Sequence, residues 1–151
     1  MSIQQAFNYV GISETISTSG LPTIDQLSGL AAEGYGIVIN LLPDDSEYAV
    51  AGERQAVELQ GLDYVYIPVD YSEPKLADFE VFEATMASLG ERKAYIHCAA
   101  NYRVSVFYGV FACRAGLWTK EKMYEHIFSL FKPDEYPPWP EFIEQMVSSR
   151  C

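Results

Sequence analysis

Three apolar stretches of the sequence, each followed by a segment with helical spacing, predict an α/β fold in which helices flank a mainly parallel central sheet. Apolar stretches over 36–42, 62–69 and 93–97 each end in polar or turn-forming residues, and each is followed by a segment with helical spacing of apolar residues. Such alternation is typical of strand-helix-strand crossover units. The 151 residues, 49% of them hydrophobic, suffice for one core. We therefore interpret residues 1–151 as a single domain.

The first half of the chain begins with strands. Residues Tyr9 to Thr18 alternate loosely and include β-branched residues, which predicts one or two short strands. Thr23 follows a Gly-Leu-Pro turn and is a suitable N-cap for a helix through about Ala32. After the strand over 36–42, a helix is predicted from about residue 47 to 59, with Gly61 as its end.

The second half continues the alternation and then becomes helical. The predicted elements are a strand over 62–69, a helix over 76–89, a strand over 93–97, a helix from Tyr102 that ends at residues 113–116, a helix capped by Thr119 that runs to about Phe131, a rigid proline-rich loop over 133–140 and a last helix over 141–149. Trp118 and Trp139 are expected to pack the C-terminal helices onto the rest of the domain.

The charge of the chain narrows the classes of partner. The formal net charge is -11, and lysine and arginine form no cluster longer than an isolated pair. Nucleic acids and anionic membrane surfaces are therefore poor partners. No apolar run approaches the roughly 18 residues that span a bilayer, and the N-terminus lacks the segments of a signal peptide. A cytoplasmic location is the default expectation, unless a signal peptide has been removed.

The three cysteines, Cys98, Cys113 and Cys151, are widely spaced. An odd number at such spacing matches neither a disulfide framework nor a zinc site. The pattern suggests a reducing compartment, and it gives no reason to expect a metal or another cofactor.

The chemistry of the chain is expected around Cys98. The strand over 93–97 ends just before it, a short polar bend follows, and a long apolar helix begins at Tyr102. Unpaired N–H groups, the helix dipole and a nearby cation stabilise a thiolate, and lower the pKa of reactive cysteines from about 8.5 to roughly 3.5–7.5. Arg103 supplies the cation, so Cys98 is a candidate nucleophile. The alternatives are a Cys98 that only fills space and an Arg103 that pairs with a surface carboxylate.

The His97-Cys98 pair followed by Arg103 resembles the signature of the cysteine-based tyrosine and dual-specificity phosphatases, which is His-Cys, five residues, then Arg and Ser or Thr. The chain is similar to a small bacterial branch of phosphatase-like proteins, some of them fused to hydrolases related to β-lactamases. The resemblance implies a cysteine-phosphatase-like fold. It extends from about Tyr9 to Gly116 and includes the segments 18–23, 38–43 and 64–70.

The loop departs from that signature because four residues, rather than five, separate Cys98 from Arg103. Backbone N–H groups must surround three phosphate oxygens, so a shorter loop fits phosphate less well. Cysteine, four residues and arginine also resemble the active loop of rhodanese-type sulfurtransferases, which surrounds a persulfide. Asn101 replaces a glycine, and asparagine tolerates the left-handed backbone of the bend. Val104 replaces the hydroxyl after the arginine, which leaves Ser105 as the nearest donor to the Cys98 sulfur.

The resemblance implies a role for each residue of the loop. Cys98 is the nucleophile, Arg103 and the N–H groups of the loop hold the phosphoryl oxygens, and His97 supports the loop by hydrogen bonding. Tyr102 either lines the pocket or belongs to the packing. The residues expected to contact the substrate are Ala99, Ala100, Asn101, Tyr102 and Ser105.

A general acid is expected on the loop after the strand over 62–69, because an alkoxide leaves poorly at neutral pH. The resemblance places this acid at Asp70, with Glu73 in reserve. The alternative is that Asp70 forms a turn or caps a helix.

Together, these expectations predict a phosphatase that hydrolyses a phosphate monoester through a phosphocysteine intermediate, without a metal or another cofactor. Its substrate would be a phosphorylated small molecule or protein, such as a phosphotyrosine-like monoester. Two alternatives remain: a rhodanese-like sulfurtransferase that carries a persulfide on Cys98, and a catalytically inactive phosphate-binding protein.

Overall fold

A computed structural model describes residues 2–148 and Cys151, and it contains a five-stranded sheet. The strands are β1 (Val10–Gly11), β2 (Ile16–Ser19), β3 (Tyr35–Asn40), β4 (Asp63–Tyr66) and β5 (Lys93–His97). Their order across the sheet is β1-β2-β5-β3-β4. β1 runs antiparallel to β2, and the other three neighbouring pairs are parallel. The predicted α/β fold with a mainly parallel sheet is confirmed.

The helices alternate with the strands and then close the C-terminal side. They are α1 (Ile24–Ser28), α2 (Glu53–Glu58), α3 (Leu76–Ala87), α4 (Tyr102–Arg114), α5 (Lys120–Leu130) and α6 (Trp139–Val147), with short 3-10 helices at Ile3–Gln5 and Pro133–Glu135. The two predicted N-caps are confirmed. The Thr23 side chain accepts a hydrogen bond from the N–H of Gln26, and the Thr119 side chain accepts one from the N–H of Lys122.

The predicted helix over 47–59 is wrong in its first half, because α2 begins only at Glu53. Gly52 has a φ of 80°, in the left-handed region, so a right-handed helix that began at residue 47 could not continue through it. The first helix likewise stops at Ser28, short of Ala32, and the last one begins earlier than expected, at Trp139. The predicted end of that helix at Ser149 lies outside the described residues.

Side chains pack on both faces of the sheet, as expected of a parallel sheet covered by helices. Successive residues of a strand point to opposite faces: Ile37 and Ile39 of β3 belong to the larger core, with α3, α4, α5 and α6, while Val38 belongs to the smaller one, with α1 and α2. Trp139 is fully buried in the larger core, and its Nε1 donates to the carbonyl of Tyr71 over 2.8 Å. The tryptophan therefore joins the C-terminal helices to the loop that follows β4.

The odd number and wide spacing of the cysteines did not predict a disulfide, but Cys113 in α4 forms one with Cys151, with 5.4 Å between their Cα atoms. Helix α6 leads the chain back to the end of α4, where Arg114 Nη1 donates to the carbonyl of Met146 over 2.7 Å. The two cysteines are 38 positions apart, so their spacing gave no indication of this return. Cys98 remains a free, buried thiol.

None of the helices in residues 2–148 is both long enough and apolar enough to cross a membrane.

Candidate functional site

The candidate site lies at the carboxyl end of β5, the central strand of the sheet. His97, its last residue, pairs with Ser19 of β2 on one side and with Asn40 of β3 on the other. The loop 98–101 follows directly, and α4 begins at Tyr102. In open α/β sheets this is the position where ligands bind.

Asn101 provides the bend of the loop, with φ of 70° in the left-handed region. Its buried Nδ2 donates to the carbonyl of Asn8 over 2.9 Å and to Thr18 Oγ1 over 3.1 Å. In return, Asn8 Nδ2 donates to the carbonyl of Ala100 over 3.0 Å. The expected left-handed backbone at Asn101 is confirmed. The contacts that hold it come from a segment more than 80 positions earlier, which sequence reasoning had not connected with the site.

The loop also lies directly against Gly20. The N–H of Leu21 donates to the carbonyl of Ala99 over 2.9 Å. A Cβ atom on Gly20 would lie 2.7 Å from that carbonyl oxygen and 2.9 Å from Ala100 Cα, closer than side chains tolerate. Gly20 is therefore required for the close approach of two backbones, one of them that of the loop.

The hydrogen-bond donors of the loop are open. In residues 2–148, the backbone N–H groups of residues 99–103 donate to no other protein group. The Nε of Arg103 is buried and finds no hydrogen-bond partner among the described residues, and the guanidinium carbon lies 5.1 Å from the ring centroid of Tyr71. Successive N–H groups at a helix N-terminus, beside an arginine, form a cradle for an anion.

His97 supports the loop from below. Its Nδ1 lies 3.1 Å from the carbonyl oxygen of Cys98, and its Nε2 lies 2.5 Å from Glu53 Oε2. Both His97 and Cys98 are fully buried. The contact with the Cys98 carbonyl is of the kind expected for His97, but Glu53 was missed because nothing in its sequence surroundings indicates a buried partner.

Asp70 shares an open cavity of about 400 Å³ with Arg103, Tyr71 and Ser46. Its Oδ1 accepts hydrogen bonds from the hydroxyl of Ser72 over 2.7 Å and from the N–H of Ser72 over 2.9 Å. The Ser72 hydroxyl and then its N–H, with smaller contributions from Lys75 and Arg103, lower the pKa of Asp70 below its ordinary value. Asp70 thus has the hydrogen bonds of a turn former and also lines the cavity. The reserve residue, Glu73, is exposed in the same turn, where its N–H donates to the carbonyl of Asp70 over 3.1 Å.

A second cavity, of about 480 Å³, adjoins the loop on another side. It is lined by Ala99 and Ala100 of the loop and by Phe7, Leu21 and Tyr48. Phe7 is 58% exposed and Tyr48 is 57% exposed. Two large apolar side chains therefore remain in contact with solvent beside the loop.

Two of the expected substrate contacts are engaged elsewhere in the protein. The ring of Tyr102 stacks on that of Phe131, with 4.8 Å between the centroids. The Ser105 hydroxyl is buried and donates to the carbonyl of Tyr102 over 2.7 Å rather than to the Cys98 sulfur. Tyr102 thus takes part in packing, which was the alternative to its lining the pocket.

The sheet, with a cysteine loop between β5 and α4, defines a cysteine-phosphatase-like domain. A cysteine-to-serine variant of P. aeruginosa TpbA, in complex with pTyr, has a TM-score of 0.70 to this chain at 17% identity, covering 91% of this chain and 83% of that one. At that identity the likeness concerns the fold alone. A candidate phosphatase (DUF442) from Shewanella putrefaciens CN-32 has a TM-score of 0.89 at 32% identity, covering 99% of this chain and 94% of that one.

The family is given by the sequence itself. Residues 8–115 match the model of the phosphatase-like domain of the beta-lactamase hydrolase-like protein, and the chain belongs to this family. The beta-lactamase hydrolase-like protein of Xylella fastidiosa (strain Temecula1) is 32% identical over 104 residues, which are 67% of this chain and 24% of that protein. The chain therefore spans about a quarter of the length of such relatives. The predicted family resemblance is confirmed, and the chain is a phosphatase-like domain.

The close approach at Gly20 leads to a prediction about stability. Gly20→Ala is expected to lower the free energy of unfolding by about 1–3 kcal/mol, because the added methyl group must displace the backbone of the loop. Gly36→Ala is the matched control, since the atoms nearest to its Cβ would be Arg92 side-chain atoms at 3.6 Å, an ordinary contact distance. The stability of this variant should be unchanged or raised by up to about 1 kcal/mol. Urea unfolding of both variants measures the difference, and equal effects would contradict the prediction.

Proposed function

We propose that the chain is a cysteine-dependent phosphatase that hydrolyses a phosphate monoester through a phosphocysteine intermediate. The observation that carries the proposal is the set of open donors around Cys98: the N–H groups of residues 99–103 and the buried, unpaired Nε of Arg103. Buried donors without partners are costly, so a site that retains them favours a ligand that accepts from all of them. The phosphoryl group has three oxygens that can do so.

In the first step, the Cys98 thiolate attacks phosphorus and forms an S–P bond while the bond from phosphorus to the leaving oxygen breaks. The N–H groups of the loop and Arg103 stabilise the negative charge on the three equatorial oxygens. Asp70, as the carboxylic acid, gives its proton to the leaving oxygen, so that an alcohol or phenol departs.

In the second step, water attacks phosphorus, and the S–P bond breaks to return the thiolate. The Asp70 carboxylate accepts a proton from that water, and inorganic phosphate leaves. The donors from Ser72 favour the carboxylate, the form needed in this second step. The first step needs the acid, and an approaching phosphate dianion favours it because like charges raise the pKa of a carboxyl group.

The surroundings of the loop favour a monoester of an aromatic or other apolar alcohol. Phe7 and Tyr48 present apolar surface beside Ala99 and Ala100, which suits the non-reacting part of such a substrate. Asp45 and Asp70 line the other cavity, where they would repel further phosphate groups. Phosphotyrosine, which TpbA binds as pTyr, is a monoester of this kind.

One observation favours the sulfurtransferase as the second candidate. Four residues between Cys98 and Arg103 make a loop of the length that rhodanese-type enzymes use. A persulfide on Cys98 would occupy the same ring of donors with a smaller group than phosphate. The same short loop also suits the third alternative, a protein that binds phosphate without turnover.

The first experiment measures hydrolysis of phenyl phosphate, whose leaving group is poor enough to require an acid. Cys98→Ser is expected to lower kcat by on the order of 10³-fold or more, because the nucleophile is lost. Asp70→Asn is expected to lower it by about 10²- to 10⁴-fold, because the leaving oxygen is no longer protonated. Asp25→Asn, which changes an exposed carboxyl on α1, is the control and should leave kcat unchanged.

Thiosulfate-to-cyanide transfer, measured in parallel, tests the second candidate. Sulfur transfer without phosphate release would reject the phosphatase, and inactivity in both assays would indicate a binding protein.

The low pKa of Asp70 gives the pH profile a direction. As the acid, Asp70 must be protonated, so kcat/KM falls as pH rises through the pKa of Asp70, which lies below the ordinary value for aspartate. Ser72→Ala removes the hydroxyl that lowers this pKa most, so the falling limb should move to higher pH. Ser88→Ala, which removes an exposed hydroxyl at the end of α3, should leave the limb in place. If the falling limb of kcat/KM lies at the same pH in Ser72→Ala as in the parent protein, another group is the acid.

The apolar cavity gives a prediction about substrate preference. Phe7→Ala is expected to raise KM for phenyl phosphate about fivefold to tenfold with kcat unchanged, because about 1 kcal/mol of apolar contact is lost equally from the ground and transition states. KM for methyl phosphate should not change. Phe128→Ala removes a similarly exposed ring from α5 and serves as control. Equal effects of Phe7→Ala on KM for the two substrates would show that this cavity does not bind the apolar part of the substrate.

A further inference from the structure

Glu53, the first residue of α2, is buried against the histidine that precedes Cys98. The side chain of Glu53 is 5% exposed and that of His97 is 0% exposed. Buried carboxylates are rare unless they are paired. The helix dipole also stabilises an acidic residue at a helix start. The dipole alone does not explain why the Oε2 of Glu53 lies 2.5 Å from Nε2 of His97.

The protons of this pair can be counted from its hydrogen bonds. His97 Nδ1 faces the carbonyl oxygen of Cys98 at 3.1 Å, and a carbonyl only accepts, so Nδ1 carries a proton. Nε2 faces a carboxyl oxygen, and this contact holds one more proton. If that proton is on Nε2, the pair is an imidazolium and a carboxylate; if it is on Oε2, the pair is an imidazole and a carboxylic acid.

We propose that Glu53 is a positioning residue for the Cys98 thiolate: its carboxylate holds His97 as the imidazolium ion, which donates through Nδ1 to the Cys98 carbonyl. This proposal rests on the proposed function, because it takes Cys98 as the nucleophile. The imidazolium places a positive charge on the residue next to the sulfur, and a nearby positive charge favours the thiolate. Without the carboxylate, a fully buried imidazolium would lack a counter-charge and would lose its proton.

The neighbouring tyrosines leave this charge balance unchanged. Tyr64, in β4, accepts from Asn40 Nδ2 over 2.9 Å, and burial raises its pKa far above the ordinary value. Tyr95, in β5, stacks on the His97 ring at 5.6 Å, and burial raises its pKa in the same way. Both tyrosines therefore stay neutral at physiological pH, and the charged groups beside Cys98 are Arg103 and the pair of Glu53 and His97.

Solvent reaches the outer side of the pair. Glu53 lines a small cavity of about 180 Å³ together with Asp44, Arg54 and Tyr66. Arg54 lies over the Tyr64 ring at 4.8 Å and is also near Glu58, at 3.7 Å, so its charge is shared with a surface carboxylate. The cavity gives protons on the pair a route of exchange with water.

The protonation of His97 can be measured directly in the unmodified protein by nitrogen NMR of the imidazole rings. The chain has two histidines, and burial lowers the pKa of the other one, His126, to about 4. At pH 7 His126 should therefore be neutral and serve as an internal reference, while His97 should carry protons on both nitrogens. A neutral His97 at pH 7 would overturn the proposal.

The effect on Cys98 is measured by alkylation with iodoacetamide against pH, with the adduct located by mass spectrometry. Glu53→Gln keeps the shape and can donate to Nε2 of a neutral His97, so the midpoint of the profile should move up by about one pH unit. Below the midpoint, alkylation should be about tenfold slower. Glu58→Gln makes the same change of charge on the exposed side of α2 and should leave the midpoint in place.

A folded Glu53→Gln variant with an unchanged midpoint would overturn the proposal. If Glu53→Gln does not unfold cooperatively, Glu53→Asp, which keeps the charge on a shorter side chain, should retain the doubly protonated His97 signal; a neutral signal there would also count against it. This test is separate from phosphatase activity. A shifted midpoint without turnover of phenyl phosphate would reject the proposed function alone, and turnover without a shift would reject only the role of Glu53.

Discussion

The site depends on one constraint, the fixed course of the backbone from Cys98 to Arg103. The carbonyls of Ala99 and Ala100 are bonded to Leu21 and Asn8, on the side of the N-terminal segment. With these carbonyls engaged, the N–H groups of residues 99–103 are left open among the residues that the structure describes. Asn101 in a left-handed conformation is unfavourable by itself, and its buried amide bonds to the same N-terminal segment compensate. The first twenty residues are thus part of the site, because several of them hold the backbone of the loop in place.

The topology of the sheet brings the remaining groups to this loop. β5 is the last strand along the chain but lies between β2 and β3 in the sheet, so the crossover from β2 to β3 passes over the position that β5 occupies. The carboxyl ends of parallel strands share one edge of the sheet. The segments after β3 and β4 therefore converge on Arg103, where Asp45 and Asp70 line one cavity with it. The short α2 follows from the same arrangement, because the loop that precedes it extends along this edge until Gly52 turns the chain into the helix.

Local signals allowed much of this structure to be predicted. The cap at Thr23, the bounds of β5 and the left-handed backbone at Asn101 each depend on a few neighbouring residues, so their sequence was sufficient. The contacts that were missed join distant segments. Glu53 is 44 positions from His97, and Asn8 is 92 positions from Ala100. A glutamate at a helix start or an asparagine before a strand has an ordinary local explanation, and only the fold shows that its side chain points inward.

The packing of Tyr102 and the disulfide of Cys113 have the same origin. Tyr102 meets Phe131 because α5 packs beside α4, and Cys113 meets Cys151 because α6 returns along that helix. Neither return is encoded in the spacing of the residues concerned. The sequence indicated where helices occur, but which faces of those helices would meet depended on the C-terminal aromatic residues packing around the buried Trp139.

The charges of the site resolve an apparent conflict between a chain of net charge -11 and an anionic ligand. At physiological ionic strength, exposed charges are screened beyond about 8 Å, so distant carboxylates contribute little at the loop. Among the ion pairs of residues 2–148 none involves Arg103, which lies over Tyr71 instead. An incoming anion therefore displaces no carboxylate from the guanidinium, and the donors need little reorganisation to receive it. The net charge then acts mainly on what else the ligand carries, since Asp45 and Asp70 at the rim oppose a second anionic group while the loop accepts the first.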